Sequence, residues 1–274
     1  MSDTNDANQA PFDWSEAPTP VVAMLHLRPL PGSPGFGGDL GAVLRAVLED
    51  AETLAEAGVH ALLMENFGDR PYFPRRVPPE TIASMTALAA EVRRRVPLPL
   101  GINVLRNDGR AALAIAAAVE APFIRVNVLC GVRVTDQGII EGIAHHLARD
   151  RARLAPRIQI LADVDVKHSA PLALRPLEDE IHDLIERGGA DAVVVSGSRT
   201  GQAVDPALVR QARAAAGATP IVIGSGMTPE TLDAMLPLAA GFIVGSYFKR
   251  EGRPTASLDP KRIRAFMDRL VSSL

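Results

Sequence analysis

The stretch PIVIGSGMTPETLDAMLPLAAGFIVGSYFK, residues 220–249, decides the fold of this chain. It holds two short apolar runs, residues 221–223 and 242–244, and each leads directly into a Gly-Ser pair. Thr228 and Pro229 between them have the order of a helix N-cap and a first helical residue, which predicts a helix from that point. Glycine-rich turns at the carboxyl ends of strands expose backbone N–H groups to an approaching anion. In a (β/α)8 barrel, two such turns after the last two strands form the usual phosphate site.

Outside this stretch, the chain repeats the same strand–helix unit. Short apolar runs are followed by segments whose apolar residues recur at the 3.6-residue period of a helix, as in residues 40–54 after the N-cap candidate Asp39. The short runs are continuous rather than alternating, which is typical of parallel strands buried on both faces. Their mean spacing of about 31 residues suits a βαβ step, and the chain holds eight such units. The predicted strands are residues 21–25, 61–64, 98–102, 123–126, 158–162, 192–195, 221–223 and 242–244.

We therefore predict an α/β fold that is a single (β/α)8 TIM barrel over residues 20–274. Residues 1–19 are polar and contain proline. We expect them to form a leader outside the barrel core, held on the barrel surface by Phe12 and Trp14.

The segment after the fourth predicted strand is longer than the others. Residues 128–142 are predicted to form a long loop, and residues 141–154 the helix that follows it. A doubly wound open sheet is the alternative fold for the whole chain. The even spacing of eight units and the absence of a G-x-G-x-x-G motif after the first strand disfavour that alternative.

Composition excludes several classes of protein. A formal net charge of −3 argues against nucleic acid as a partner, because binding to the phosphate backbone needs a basic surface. The one cysteine, Cys130, excludes an intramolecular disulfide framework and fits a reducing compartment. No apolar run approaches the roughly 18–20 residues that span a bilayer, and the N-terminus lacks the pattern of a signal peptide. We expect a cytoplasmic protein that does not insert into membranes.

A polar residue follows every predicted strand, directly or, after the last two strands, behind one glycine. The carboxyl ends of barrel strands converge on one mouth, where the chemistry of the fold takes place. Glu65, Asp163 and His26 are the predicted acid–base groups, because low-dielectric surroundings can raise the pKa of a carboxyl group towards neutrality. The alternative is that one or two of them only hydrogen-bond the loops. The eight strand-end residues are His26, Glu65, Asn103, Asn127, Asp163, Ser196, Ser225 and Ser246.

The loop after the fifth strand adds Lys167 and His168 to the candidate catalytic residues. Lys167 could hold an anionic substrate, neutralise an enolate, or form a Schiff base if its amine is desolvated. A salt bridge from Lys167 to Asp165 or Glu141 is the structural alternative.

We predict no cofactor. Carboxylate and imidazole ligands suit Mg, Mn or Zn, so a divalent metal is a lesser alternative, but no compact ligand motif such as H-E-x-x-H is present. The ligands of such a metal would come from Glu65, Asp163, Asp165 and His168.

Neighbouring glycine-containing loops predict a phosphate site. The segments Gly224-Ser225-Gly226 and Gly245-Ser246 each offer N–H groups and a hydroxyl, and the predicted helix after Thr228 adds the positive end of its dipole. Lys249 adds a positive charge, and the loop over residues 196–201 lies next to the same group. Tight packing is the alternative role for these glycines. The predicted substrate-binding residues are Asn103, Asn127, Ser196, Thr200 and Gly201.

Several of these segments resemble the BtpA/SgcQ family, and the resemblance extends from about residue 21 to residue 270. HLRPLPGSPGF at residues 26–36 is the most specific of them. The others are MENFGD (64–69), TDQGIIEG (135–142), ADVDVKH (162–168), SRTGQAVD (198–205), VIGSGMTPE (222–230) and VGSYFKREG (244–252).

The resemblance implies a TIM-type barrel of the ribulose-phosphate-binding kind. It also implies a role in photosystem I biogenesis or stability, from which the family takes its name, and it supplies site positions without an established catalytic assignment. The cysteine–aspartate pair used by phosphoribosylanthranilate isomerases is not evident here, since Cys130 follows strand four and the first strand ends in His26.

We therefore expect an enzyme that acts on a small phosphorylated molecule, a sugar phosphate or a nucleotide-like phosphate, by isomerisation, epimerisation or lyase cleavage. Glu65 and Asp163 would transfer protons, with Lys167 or His26 assisting. The alternatives are a non-catalytic photosystem I assembly factor or ligand-sensing barrel, and a metal-dependent hydrolase. We also expect a homo-oligomer, because barrels of this kind often pair.

Overall fold

The strands and helices follow the predicted order. The computed structural model describes residues 12–14, 19–197, 199 and 201–274. The strands are β1 (Val21–His26), β2 (Ala61–Glu65), β3 (Leu100–Asn103), β4 (Phe123–Val126), β5 (Val132–Thr135), β6 (Gly138–Glu141), β7 (Gln159–Val164), β8 (Ser169–Pro171), β9 (Ala192–Val195), β10 (Ile221–Ile223) and β11 (Gly241–Val244). The helices are α1 (Leu40–Glu56), α2 (Pro79–Arg95), α3 (Gly109–Ala118), α4 (Ala144–Leu154), α5 (Leu177–His182), α6 (Pro206–Ala216), α7 (Leu232–Met235) and α8 (Pro260–Ser272).

The main sheet is a closed barrel. Within the described residues, eight parallel strands hydrogen-bond in the order β1-β11-β10-β9-β7-β4-β3-β2, and β2 closes the ring by pairing with β1. The predicted (β/α)8 barrel is therefore confirmed. Four of its helices begin at capping aspartates, of which Asp39 was identified from the sequence. The carboxylates of Asp39, Asp108, Asp205 and Asp259 each accept a hydrogen bond from a first-turn N–H. No helix in the described ranges is long and apolar enough to cross a membrane.

A helix follows β10 as predicted, but its predicted start at Thr228 is wrong. Helix α7 is one turn long, Leu232–Met235, and the residues before it form a turn. The backbone N–H of Thr228 donates to Oγ1 of Thr231 at 3.0 Å, and that hydroxyl donates back to the carbonyl oxygen of Thr228 at 3.1 Å. Because this local pairing closes a turn, the loop after β10 has no helix dipole to offer an anion.

The segment predicted as a loop after β4 contains a β-hairpin. Strands β5 and β6 pair antiparallel, and β8 joins β5 to complete a three-stranded sheet in the described part of the chain. Glu141, predicted to begin a helix, lies in β6 instead. Arg133 and Ile140 face inwards, whereas Val134 and Ile139 are exposed, which is the alternation of a half-buried hairpin.

The barrel interior is built in layers, because alternate residues of each strand point inwards. The lower layer is an apolar cluster. Its members on the strands include Met24, Leu63, Phe123, Leu161, Val194, Val222 and Ile243. The next inward position on each strand, two residues on, is polar or glycine. These positions are His26, Glu65, Asn103, Arg125, Asp163, Ser196, Gly224 and Gly245.

Trp14 closes the amino-terminal end of the barrel. Its side chain is buried in the interior cluster and lies edge-on to the ring of Phe123, with centroids 6.1 Å apart. Phe12 packs against both rings, at 4.7 Å from Trp14 and 5.5 Å from Phe123. A Cβ at Gly241 would lie 2.8 Å from the Trp14 ring. The expectation that Trp14 only holds a leader on the outer surface is therefore wrong.

Candidate functional site

The polar layer faces a cavity of about 630 Å³ at the carboxyl end of the barrel. Its lining includes the stacked side chains of Phe67 and His26 and the backbone of the loops after β10 and β11. Positive charge exceeds negative charge in this lining, which favours an anionic ligand. Among the described lining residues, the cationic ones are Arg70, Arg106, Arg125, Lys167 and Arg262, and the acidic ones are Glu65, Asp136 and Asp163.

Most of the predicted site residues meet at this cavity. Those that line it are His26, Glu65, Asn127, Asp163, Lys167, His168, Gly201, Gly224, Ser225, Gly226, Gly245 and Ser246. Asn103 lies below it, where its amide donates to the carbonyl oxygen of Arg125 at 3.0 Å. Ser196 is also buried outside the lining. Thr200 lies outside the described residues.

Arg125 is a site residue that the sequence reasoning missed. Its Nε and Nη2 donate to the two carboxylate oxygens of Asp163 at 2.8 and 3.0 Å, and Asn127 Nδ2 adds a hydrogen bond to Asp163 at 2.9 Å. The side chain of Asp163 is 0% exposed. A carboxylate held on both oxygens suits a counter-ion for Arg125 better than a proton carrier.

Unlike Asp163, Glu65 has a carboxyl group that is suited to proton transfer. Its side chain is 9% exposed, and within the described residues its carboxyl oxygens make no hydrogen bond. Burial raises the pKa of Glu65, and the nearby positive charges, Arg125 first among them, oppose that rise without cancelling it. A carboxyl group with a raised pKa is a stronger base than an ordinary carboxylate, and it can both take and return a proton. Glu65 is therefore the candidate acid–base residue.

His26 is neutral and supports Glu65. Its Nδ1 lies 3.3 Å from the carbonyl oxygen of Pro254, and since a carbonyl only accepts, Nδ1 carries the proton. Burial, reinforced by the charge of Lys249, lowers the pKa of His26 to about 3. Nε2 therefore keeps its lone pair, and it lies 3.8 Å from Oε1 of Glu65. This contact is not an ion pair, but it can become a hydrogen bond when Glu65 is protonated.

Lys167 reaches the cavity from the turn after β7. Its Nζ donates to the carbonyl oxygen of Gly224 at 2.7 Å. Burial, followed by the charge of Arg125, lowers the pKa of Lys167 to about 8. The salt bridges considered for it are wrong, because Asp165 pairs with Arg133 at 3.0 Å and Glu141 pairs with Arg75 of the loop after β2 at 2.8 Å.

The turn that carries Lys167 has an uncommon backbone. Asp165 and His168 on either side have φ of 50° and 54°, the left-handed region that non-glycine residues seldom adopt. A guanidinium group of Arg106 donates to the carbonyl oxygen of Lys167 from the other side. His168 itself lies at the rim, where burial lowers its pKa. Strained backbone held by neighbouring contacts is characteristic of functional loops.

The loops after β10 and β11 line the cavity and contain backbone N–H groups without a described acceptor. Those of Gly226, Gly245 and Ser246 donate to no group in the described part of the chain. Gly226 has φ of 69°, and a Cβ there would lie 2.2 Å from the Cα of Ala203. The hydroxyl of Ser225 is occupied, since it accepts from the N–H of Gly197 at 2.8 Å.

The prediction that Lys249 adds positive charge to the phosphate site is wrong. Lys249 is buried and does not line the cavity, and its Nζ lies 3.2 Å from Oδ2 of Asp50 on helix α1. Arg262 on helix α8 lines the cavity instead, beside the loop after β11. Its Nε donates to the carbonyl oxygen of Tyr247 at 2.6 Å, and its guanidinium lies 4.3 Å from the centre of the Tyr247 ring. Arg262 is therefore the cation that accompanies the exposed N–H groups.

The four residues considered as metal ligands do not come together as a metal site among the described residues. Over the described ranges, no group of three His, Cys, Asp or Glu side chains comes together in a way that could hold a metal ion. Of the four ligands considered, Asp163 is bound to Arg125 and Asp165 to Arg133. Glu65 and His168 remain at the cavity without a third ligand.

Comparison with known proteins gives the chain a family and relatives. The sequence profile of the BtpA family matches residues 17–272. An uncharacterized protein of Thermococcus kodakarensis is 49% identical over 91% of this chain and 94% of its own length. The photosystem I biogenesis protein BtpA of Synechocystis is 43% identical over 96% of this chain and 92% of its own length.

Solved structures share the fold at low identity. The crystal structure of phosphoribosyl anthranilate isomerase from Thermus thermophilus superposes with a TM-score of 0.57 at 15% identity, over 92% of this chain and 98% of that chain. At this identity the likeness is one of fold alone.

Proposed function

The chain belongs to the BtpA family, and from the chemistry of its cavity we propose that it is an enzyme that moves a proton on a small phosphorylated substrate. The outcome of that transfer would be isomerisation, epimerisation or lyase cleavage. The observation that carries the proposal is Glu65, a buried carboxyl group with a raised pKa and no hydrogen bond within the described residues, in a cavity whose lining is otherwise rich in positive charge.

The phosphate group binds at the loops after β10 and β11. The N–H groups of Gly226, Gly245 and Ser246 can donate to phosphate oxygens, and Arg262 adds charge-assisted hydrogen bonds. Binding there anchors one end of the substrate and directs its other end towards Glu65 across the cavity. A fixed anchor of this kind lowers the entropic barrier to the chemical step.

Glu65 removes a proton from a carbon next to a carbonyl group and returns it to the same or a neighbouring carbon. Negative charge then develops on the carbonyl oxygen, and the cationic side chains of Arg106, Arg125 and Lys167 stabilise it. Asp163 holds Arg125 in position for that purpose. His26 accepts a hydrogen bond from Glu65 when the carboxyl group carries the proton.

Exchange with deuterated water tests this proton transfer without knowledge of the product. The protein is incubated in D₂O with a panel of aldose, ketose and nucleotide-like phosphates, and loss of each C–H signal is followed by proton NMR. We expect exchange at a carbon next to the carbonyl group of at least one compound. Glu65→Gln should reduce the exchange rate by at least about 100-fold, the contribution of a positioned acid–base group.

The matched control is Glu186→Gln, which alters an exposed glutamate on the barrel surface. It should leave exchange unchanged. If Glu65→Gln binds the phosphorylated compound and exchanges its C–H protons as fast as the wild type, the proposed role of Glu65 is wrong.

A second candidate function is that of a non-catalytic photosystem I assembly factor. The name of the Synechocystis relative, 43% identical over 96% of this chain, favours it. A Synechocystis strain without its own protein would be supplied with this chain or with its Glu65→Gln variant. If the protein is a non-catalytic assembly factor, both should restore photosystem I equally. If it is an enzyme, only the wild type should do so.

A further inference from the structure

We infer that Lys167 is a nucleophilic amine that forms an imine with the carbonyl group of the substrate, which makes the substrate a phosphorylated aldehyde or ketone. The inference rests on the proposed function of the same cavity and narrows its substrate class.

The chain uses lysine sparingly. Of its 29 Lys and Arg residues, three are lysines, Lys167, Lys249 and Lys261, so arginine supplies nearly all the positive charge. Lys261 is exposed on helix α8, and Lys249 is paired with Asp50. Arginine stays protonated and cannot act as a nucleophile, whereas lysine can lose its proton and attack a carbonyl carbon. A lysine in this cavity therefore offers chemistry that the surrounding arginines lack.

The contacts of Lys167 leave its amine available. Within the described residues no carboxylate lies within 4.0 Å of its Nζ, in contrast to Lys249, whose Nζ is 3.2 Å from Asp50. The one hydrogen bond described for Nζ is to the carbonyl oxygen of Gly224 at 2.7 Å. A carbonyl oxygen accepts from an ammonium or from a neutral amine, so the contact orients Lys167 without requiring its charge.

The surroundings of Lys167 favour the neutral amine. Burial and the guanidinium of Arg125 lower its pKa to about 8, so a useful fraction of the side chain is unprotonated at mildly alkaline pH. Desolvation and a neighbouring cation are the two means by which lysine nucleophiles are activated. The left-handed residues Asp165 and His168 fix the turn on both sides of Lys167.

The neutral amine of Lys167 attacks the carbonyl carbon, a C–N bond forms, and the C=O π pair moves to the oxygen. A proton then passes from the new ammonium nitrogen to that oxygen, which gives a neutral carbinolamine. That oxygen then leaves as water, with Glu65 donating the required proton, and a protonated imine remains. Deprotonated Glu65 removes a proton from the adjacent carbon, the electron pair moves to the imine nitrogen, and an enamine forms. Reprotonation followed by attack of water releases the product and the free amine.

Reductive trapping tests the imine. The protein is incubated with pyridoxal 5′-phosphate or glycolaldehyde phosphate, two probes that combine an aldehyde with a phosphate, and is then reduced with borohydride. Peptide mass spectrometry locates the reduced adduct. We expect it on Lys167, with an extent that rises with pH through about 8 and falls when inorganic phosphate competes for the anion site. Lys167→Arg should lose at least about 90% of the adduct, whereas Lys261→Arg should retain it.

An adduct on Lys249, Lys261 or the terminal amine with none on Lys167 would overturn the inference, and so would the absence of an adduct with both probes. Circular dichroism and melting temperature confirm that Lys167→Arg is folded. The deuterium exchange experiment separates the two proposals. If exchange depends on Glu65 but no imine can be trapped, the imine inference is wrong and the proposed function stands.

Discussion

Breaking the buried pair between Arg125 and Asp163 should destabilise the protein severely. In Asp163→Asn, one carboxylate oxygen becomes an NH₂ group that faces the guanidinium, so the hydrogen bonds at 2.8 and 3.0 Å cannot both be kept. The guanidinium of Arg125, whose side chain is 6% exposed, is then left without its counter-ion. Removing one partner of a buried pair costs about 3–5 kcal/mol in the free energy of unfolding. At about 2–4 °C per kcal/mol for a domain near this size, the melting temperature should fall by about 6–20 °C.

Urea denaturation followed by circular dichroism measures the loss of stability. The control is Glu141→Gln, which breaks an exposed pair of similar length, 2.8 Å to Arg75, and should change the free energy of unfolding by less than about 1 kcal/mol. A double variant, Arg125→Met with Asp163→Leu, removes both charges and should recover most of the loss, because apolar replacements of buried pairs are often neutral. A loss below about 1 kcal/mol in Asp163→Asn, or a double variant less stable than the single one, would refute the reasoning.

Two further predictions concern Glu65 and Trp14. Because burial raises the folded-state pKa of Glu65, the wild type loses stability as pH rises through that pKa. Glu65→Gln should therefore unfold at a higher urea concentration than the wild type at pH 8, and the two should converge below the ordinary carboxyl pKa of 4.5; a gain that is independent of pH would contradict this. Trp14→Ala leaves a cavity beside Phe123 and Gly241 and should lower the free energy of unfolding by about 3–5 kcal/mol. Urea denaturation measures it, and a value near zero would mean that the amino-terminal end of the barrel closes without Trp14.

Much of the fold could be predicted from the sequence because it depends on local patterns. Continuous apolar runs and the helical segments between them, several of which begin at a capping aspartate, are readable without knowledge of distant contacts. The failures occur where short-range chemistry competes with the pattern. Thr228 and Thr231 close a turn where a cap followed by proline predicts a helix. Residues 132–141 form a hairpin because their alternation is that of exposed strands, not of buried ones.

Most of the residues predicted for the site line the cavity, but two of its cations, Arg125 and Arg262, were missed. Arg125 carried a readable signal, since it is a charge inside an apolar strand and two residues before Asn127, hence on the same inward face. The same period of two places Gly224 and Gly245 on the inward face. The strand-end residues named from the sequence, Ser225 and Ser246, lie one position further along the chain. Other assignments depend on the packing of distant segments.

Arg262 takes the place predicted for Lys249 for that reason. Lys249 pairs with Asp50, which precedes it by 199 residues. Arg262 reaches the cavity from the last helix, beside Tyr247. No local pattern distinguishes these two cations, so the sequence alone could not have shown which of them faces the anion.

The burial of Trp14 links the two ends of the chain in time as well as in space. Trp14 leaves the ribosome well before Gly241, the glycine that makes room for its ring and begins the last barrel strand. At about 5–20 residues per second, Trp14 must wait on the order of tens of seconds for its binding site to be synthesised. Docking of the tryptophan thus has to follow synthesis of the last barrel strand, so the amino-terminal end of the barrel closes late in the life of a newly made molecule.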